Sequence, residues 1–156
     1  MVDAHELVRS LKRQTLRCRT GVLSVPTAAL GTEPQVAAAL GIEYLDHSQR
    51  LRALVPPDSN FVSLDVARLV EDLDALANAK TGEMCVLVAN FDLAIARLKT
   101  EEARSLWQAL LTDFPHKTRA LLFCVPGYAK GMFCFADSII YGLWRESGRF
   151  SEWNQG

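Results

Sequence analysis

The chain has 156 residues, of which 49% are apolar and 22% charged, and its formal net charge is −1. This length and composition predict one globular domain over residues 1–156 that buries most of the surface exposed by its unfolded chain. The longest apolar runs, Met84–Ala89 and Ala120–Pro126, have the length of strands and are too short to span a membrane. Since the first residues lack the apolar segment of a secretory signal, we expect a cytoplasmic protein without membrane contact.

The cysteines and histidines show neither a disulfide pattern nor a metal-binding pattern. No two cysteines have CxxC spacing, and two of them lie inside apolar runs, where cysteine behaves as a small apolar side chain. No histidine has a cysteine or an acid at a spacing typical of a metal site or an activated nucleophile, so surface or loop positions are expected for them. We therefore expect reduced thiols, no metal and no catalytic residue at Cys18, Cys85, Cys124, Cys134, His5, His47 and His116.

Apolar segments of strand length alternate with segments of helical periodicity. This alternation predicts an α/β domain, a three-layer sandwich whose mainly parallel sheet carries helices on both faces. Ligands of such sheets bind at the carboxyl ends of the strands. The predicted strands are Gly21–Val25, Ile42–Leu45, Met84–Asn90 and Arg119–Val125, and the predicted helices are Asp3–Gln14, Glu33–Leu40, Ser48–Leu54, a stretch capped by Ser63, a stretch after Thr100, and Phe135–Trp144.

The segment Pro26–Glu33 lies between a predicted strand and a predicted helix, where a phosphate-binding loop would lie. Such a loop reads G-x-x-x-x-G-K-[ST], with glycines for close backbone approach, a lysine for the phosphates and a hydroxyl for magnesium. Gly31 matches the second glycine, but Pro26, Thr32 and Glu33 replace the first glycine, the lysine and the hydroxyl. Glu33 also places a carboxylate at a helix N-terminus that would otherwise attract phosphate.

Two later strands fit the positions of other elements of a nucleotide-hydrolysing core. The run Cys85–Asp92 resembles a Walker B strand, which ends in an acid that holds magnesium. Leu93 follows where many ATPases carry the glutamate that activates water. Asp92 has two interpretations, a magnesium ligand or the cap of a helix starting near Leu93, and the missing lysine favours the cap.

Residues 20–126 thus resemble the core of P-loop NTPases of the AAA and RecA-like type in their order of elements. In those proteins the strand at Arg119–Val125 would be the sensor strand, although Pro126 and Gly127 follow it here without a polar sensor residue. Size and element order are also similar to BrxF-type accessory proteins of bacterial phage-defence (BREX) systems. Resemblance to the active members of these families implies binding of ATP and magnesium. Resemblance to a degenerate member implies a subunit that docks on other proteins.

The segments on either side of this core suggest contacts with partners. Residues 1–19 are predicted to form a basic helical segment, and its positive charges could contact nucleic acid, an acidic partner or solvent alone. Residues 127–156 are predicted to hold a last helix and a tail whose aromatic residues either fold back on the domain or contact a partner. The residues concerned are Arg9, Lys12, Arg13, Arg17 and Arg19 in the first segment and Phe150 and Trp153 in the second.

Three functional hypotheses follow from these patterns. The first is a non-catalytic P-loop NTPase-like module, without a cofactor, that acts through protein contacts as a homo-oligomer or as a subunit of a bacterial ATP-dependent or phage-defence complex. The second is a nucleotide-binding ATPase subunit completed by a partner, in which ATP and magnesium contact Thr27, Gly31, Thr32 and Asp92. The third is a nucleic-acid-binding accessory protein. The missing Walker A lysine and hydroxyl favour the first and argue against enzymatic activity.

Overall fold

The computed structural model describes residues 2–13, 16–53, 65–80, 82–114, 118–127 and 138–154. Six residues used in the predictions above, Gln14, Leu54, Ser63, His116, Cys134 and Phe135, lie outside these ranges. The helices are α1 (Ala4–Lys12), α2 (Glu33–Leu40), α3 (His47–Ala53), α4 (Val66–Ala77), α5 (Asp92–Ile95), α6 (Thr100–Thr112) and α7 (Ser138–Glu146). The strands are β1 (Thr20–Val25), β2 (Glu43–Asp46), β3 (Cys85–Ala89), β4 (Ala120–Pro126) and β5 (Phe150–Glu152).

The five strands form one sheet in the order β2-β3-β4-β1-β5. Every neighbouring pair is parallel, which confirms the prediction of an α/β domain with a parallel sheet. The interior strand β3 is buried along its whole length, as expected when helices cover both faces of a sheet. Among the described residues, none of the helices is both long and apolar enough to cross a membrane.

Alternate side chains of the strands enter two separate apolar cores. In β4, Leu121 and Phe123 face the core shared with α4 and α6, whereas Leu122 and Cys124 face the core shared with α1 and α2. Successive residues of a strand point to opposite faces, so β1, β3 and β4 each contribute to both cores. The arrangement is consistent with the predicted three-layer sandwich.

The C-terminal tail forms a strand that the sequence analysis did not predict. Phe150 pairs with Val22 of β1, and it is buried in the core shared with α6 and α7. Trp153 is buried on the opposite face, against α1 and α2. Of the two alternatives for these aromatic residues, the structure shows the one in which they fold back on the domain.

Three buried arginines immediately precede three of the strands at the amino edge of the sheet. Arg19 precedes β1 and donates to the carbonyl oxygens of Leu11 (3.0 Å) and Thr118 (2.7 Å). Arg119 precedes β4 and donates to the carbonyl oxygen of Glu83 (3.0 Å) and to the carboxylate of Glu43. Each arginine therefore joins the start of a strand to a neighbouring segment.

Arg149, which precedes β5, makes the most extensive of these contacts. Its Nε donates to the carbonyl oxygen of Thr20 (2.7 Å), and its Nη1 donates to that of Leu111 (2.9 Å) near the end of α6. The guanidinium also lies over the ring of Trp144, 4.8 Å from the ring centroid. Burial lowers the pKa of Arg149, because the charged form loses hydration.

Replacing Arg149 with Met should lower the free energy of unfolding by about 2 to 4 kcal/mol, because buried carbonyl oxygens lose their donors. Urea unfolding followed by circular dichroism measures this change. Arg13→Met, at an exposed position of the same chain, is the control and should change the free energy of unfolding by less than about 0.5 kcal/mol. Equal stability of the two variants would contradict this role of Arg149.

Candidate functional site

A cavity of about 390 Å³ opens at the carboxyl ends of the strands, where ligands of parallel sheets bind. We call it the carboxylate crevice. The segment after β1 contributes one wall, the first turn of α2 and β2 contribute others, and the ends of β3 and β4 form the base. Its lining residues are Leu30, Gly31, Glu33, Pro34, Tyr44, Asn90, Asp92, Cys124 and Pro126.

The loop between β1 and α2 uses its backbone amides for its own hydrogen bonds. Thr27–Ala29 form a 3₁₀ turn, in which Ala29 donates to the carbonyl oxygen of Pro26 (2.9 Å) and Leu30 to that of Thr27 (3.2 Å). The Thr32 amide donates to the carbonyl oxygen of Ala29 (3.1 Å). A phosphate-binding loop instead directs its amides at the ligand. The amides of Ala29, Leu30 and Thr32 are therefore not free for a phosphate.

The structure brings together only two of the four residues predicted to contact nucleotide. Gly31 and Asp92 line the carboxylate crevice, whereas Thr27 and Thr32 are absent from its lining. The hydroxyl of Thr32 donates to the carbonyl oxygen of Ala29 (2.5 Å). Gly31 has a φ of 85°, in the left-handed region, so the backbone conformation explains why glycine occupies this position.

Asp92 does not act as the helix cap that the sequence analysis favoured. It is the first residue of α5, and Phe91 occupies the N-cap position without a side-chain hydrogen bond to the helix. Burial raises the pKa of Asp92; a backbone hydrogen bond opposes this shift without reversing it, and the negative charge of Glu33 adds to it. The carboxylate therefore lies in a place that disfavours negative charge.

Within the described part of the chain, the lining of the carboxylate crevice contains acids and no bases. Glu33 and Asp92 are the charged residues of this described lining, which includes no lysine, arginine or histidine. Burial raises the pKa of Tyr44, and the negative charges of Asp46 and Glu33 contribute in the same direction. Burial also raises the pKa of Cys124, so this residue is a neutral thiol rather than a nucleophile. The crevice consequently favours a cationic or hydrogen-bond-donating ligand over an anionic one.

A hydrogen-bond network that the sequence analysis missed supports the floor of the crevice. The Asp46 carboxylate accepts hydrogen bonds from the Ser48 amide (2.9 Å), the Ser48 hydroxyl (2.6 Å) and the Asn90 side chain (2.9 Å). Burial alone would raise the pKa of Asp46, but these hydrogen bonds outweigh burial and lower it. Asn90 has a φ of 60°, a conformation that asparagine tolerates better than most residues. The network joins the ends of β2 and β3.

His47 is another residue whose place the sequence did not reveal. It was expected at the surface or in a loop, yet it is fully buried, and its Nε2 lies 3.5 Å from Oδ2 of Asp72. Arg50 also donates to Asp72, at 2.6 and 3.2 Å. Burial opposes ionisation of Asp72, but the nearby His47 imidazole and the hydrogen bonds from Arg50 lower its pKa to about 2. These contacts hold α3 against α4 beside the crevice.

The basic N-terminal residues are not all displayed on the surface. Arg9, Arg13 and Arg17 are exposed, while Lys12 donates to the carbonyl oxygen of Gly41 (2.9 Å). Arg19 is only 3% exposed and bonded at the amino edge of the sheet. The predicted contact surface is therefore reduced to the three exposed arginines, because the guanidinium of Arg19 is used inside the fold.

Among the described residues, no group of three or more histidine, cysteine or acidic side chains is arranged to hold a metal ion. In comparisons with protein-family models, curated proteins and solved structures, nothing matches the chain.

Asp92→Asn should raise the stability of the protein at pH 7, because it removes a carboxylate whose folded-state pKa is raised. The favourable contribution of Asp92 to the free energy of unfolding is fully present below the pKa of an unfolded aspartate. It is lost as the pH rises through the pKa of Asp92 in the folded state. The difference between variant and wild type should thus disappear near pH 3. Thermal unfolding across this pH range measures it, with Glu152→Gln, at an exposed position, as the control. A destabilised Asp92→Asn at pH 7 would contradict this electrostatic account.

Proposed function

We propose that this chain is a non-catalytic module with the architecture of an AAA-type or RecA-like P-loop NTPase core, which acts by binding proteins. It would serve as a subunit of a bacterial ATP-dependent or phage-defence complex. The observation that carries this proposal is the carboxylate crevice. It lies where a nucleotide would bind, yet its described lining presents Glu33 and Asp92 and no cationic side chain.

The strand order supports the architectural part of the proposal. The strand that leads into the loop, β1, is separated by β4 from β3, the strand that resembles a Walker B strand. In AAA-type and RecA-like cores the sensor strand lies in this position, between the strands of the phosphate loop and of the Walker B acid. The order of strands thus agrees with the roles that the resemblance implies for β1, β3 and β4.

The loop and its charges support the non-catalytic part. A nucleotide triphosphate carries several negative charges, and bringing them beside Glu33 and Asp92 without a counter-cation is unfavourable, the more so where water is partly excluded. The amides of Ala29, Leu30 and Thr32 are bonded to the loop itself, so they offer no compensation. Magnesium could reach Asp92, but no lysine of the described lining would hold the phosphates that accompany it.

The test is an isothermal calorimetric titration of the purified protein with ATP and magnesium. The expected result is no binding up to millimolar nucleotide, both for the wild type and for Asp92→Ala. Micromolar, magnesium-dependent binding that disappears in Asp92→Ala would overturn the proposal, and it would support the hypothesis of a nucleotide-binding subunit that contains Asp92 in its site.

A further inference from the structure

A second cavity lies beside the carboxylate crevice on the same edge of the sheet. It has a volume of about 380 Å³ and lies between α3 and the segment that contains α5. We call it the arginine groove. Leu51, Leu93 and Ala96 contribute apolar surface, and the exposed fraction of Leu93 is 48%. The lining residues are Ser48, Leu51, Arg52, Leu93, Ala96 and Arg97.

The two cavities are direct neighbours. Asp92 lines the crevice and the next residue, Leu93, lines the groove. The Asp46 network also lies between them, because one of its donors, Asn90, lines the crevice and the other, Ser48, lines the groove. These hydrogen bonds keep the ends of β2 and β3 in a fixed relation. A partner that covers one cavity therefore also meets the other.

The charges of the two cavities are opposite, and the fold compensates them only in part, because Arg52 lies close enough to the Asp46 carboxylate to lower its pKa. Glu33 and Asp92 line the crevice, and Arg52 and Arg97 line the groove. No ion pair joins any of these four side chains to another residue in the described part of the chain. Two acids and two arginines thus face outwards, side by side, on one surface.

Such a surface is complementary to a copy of itself. In a twofold-symmetric contact, the carboxylate crevice of one subunit meets the arginine groove of its partner, and the arginine groove meets the partner's crevice. An axis that passes between the cavities, near Asp46 and Asn90, would set the arginines of each copy opposite the acids of the other. We propose that two copies of this chain associate through this edge, with Arg52 and Arg97 of one copy seated against Glu33 and Asp92 of the other.

Charge balance favours a second copy over other occupants. An acidic partner would neutralise the arginine groove, but its negative charge would then lie close to Glu33 and Asp92 of the crevice. A second copy satisfies both cavities with the same interaction, made twice, and the two exposed Leu93 side chains add apolar area. This inference rests on the proposed function, because the association requires a crevice that nucleotide does not fill.

The experiment measures the oligomeric state of the full chain by sedimentation equilibrium at about 50 mM salt. The wild type should be a dimer whose dissociation constant rises with salt, since the contact depends on charge. Two reversal variants, Glu33→Lys with Asp92→Lys and Arg52→Glu with Arg97→Glu, should each weaken dimerisation more than about 10-fold, because like charges then face each other. An equimolar mixture of the two variants should dimerise again, since it restores opposite charges at both contacts.

A matched control carries Arg13→Glu with Arg17→Glu, which changes the net charge as much as the arginine-groove variant but lies elsewhere. It should dimerise like the wild type. If either reversal variant does not fold, as judged by circular dichroism, the neutral pairs Arg52→Gln with Arg97→Gln and Glu33→Gln with Asp92→Asn replace it and should also weaken the dimer.

A monomeric wild type at 100 μM, or a mixture of reversal variants that stays monomeric, would overturn this inference. A dimer that none of the cavity variants weakens would overturn it as well. A monomer that binds no ATP would leave the proposed function in place, whereas magnesium-dependent ATP binding would overturn the proposed function itself. The two failures are thereby distinguishable.

Discussion

The hydrogen bonds of three buried arginines with backbone carbonyls are the interaction on which the rest of the molecule depends. Arg19, Arg119 and Arg149 each precede a strand, and each donates to carbonyl oxygens of neighbouring segments at the amino edge of the sheet. Buried carbonyls without a donor are costly, and so is an arginine without acceptors. Together they fix the amino edge, and they leave the loops of the opposite edge to form the cavities.

The carboxyl edge combines the geometry of a ligand site with an unusual distribution of charge. Parallel strands bring the loops after β1, β2, β3 and β4 together, and a nucleotide would be expected there. Here the loop after β1 is closed on itself, and the acids Glu33 and Asp92 face the space. The Asp46 network holds this acidic space beside a groove that carries two arginines. The described lining of the crevice therefore lacks the cationic side chains of a phosphate site, which supports the proposal that this edge binds protein.

The sequence predicted the features that depend on local pattern. Continuous apolar runs such as Met84–Ala89 indicated buried parallel strands, and their alternation with helices indicated where the crevice would open. It did not predict features that depend on pairing between distant segments. Asp46 and Asn90 meet because β2 and β3 pair in one particular register, and β5 is a strand of three residues that pairs with β1. Likewise, nothing in the local sequence distinguishes Arg19 or His47, which are buried, from residues at the surface.

We infer that the described lining of the carboxylate crevice holds negative charge without a compensating cation. The pKa of Asp92 measures the effect of this charge most directly. It can be measured by NMR titration of the protein with ¹³C-labelled aspartate carboxyls, with Asp92→Asn providing the assignment. The account predicts a pKa above the ordinary value of 3.8 for aspartate and a lower value in Glu33→Gln, where the neighbouring charge is gone. A pKa at or below 3.8 in the wild type would contradict it, since a positive group or additional hydrogen-bond donors would then have to stabilise the Asp92 carboxylate.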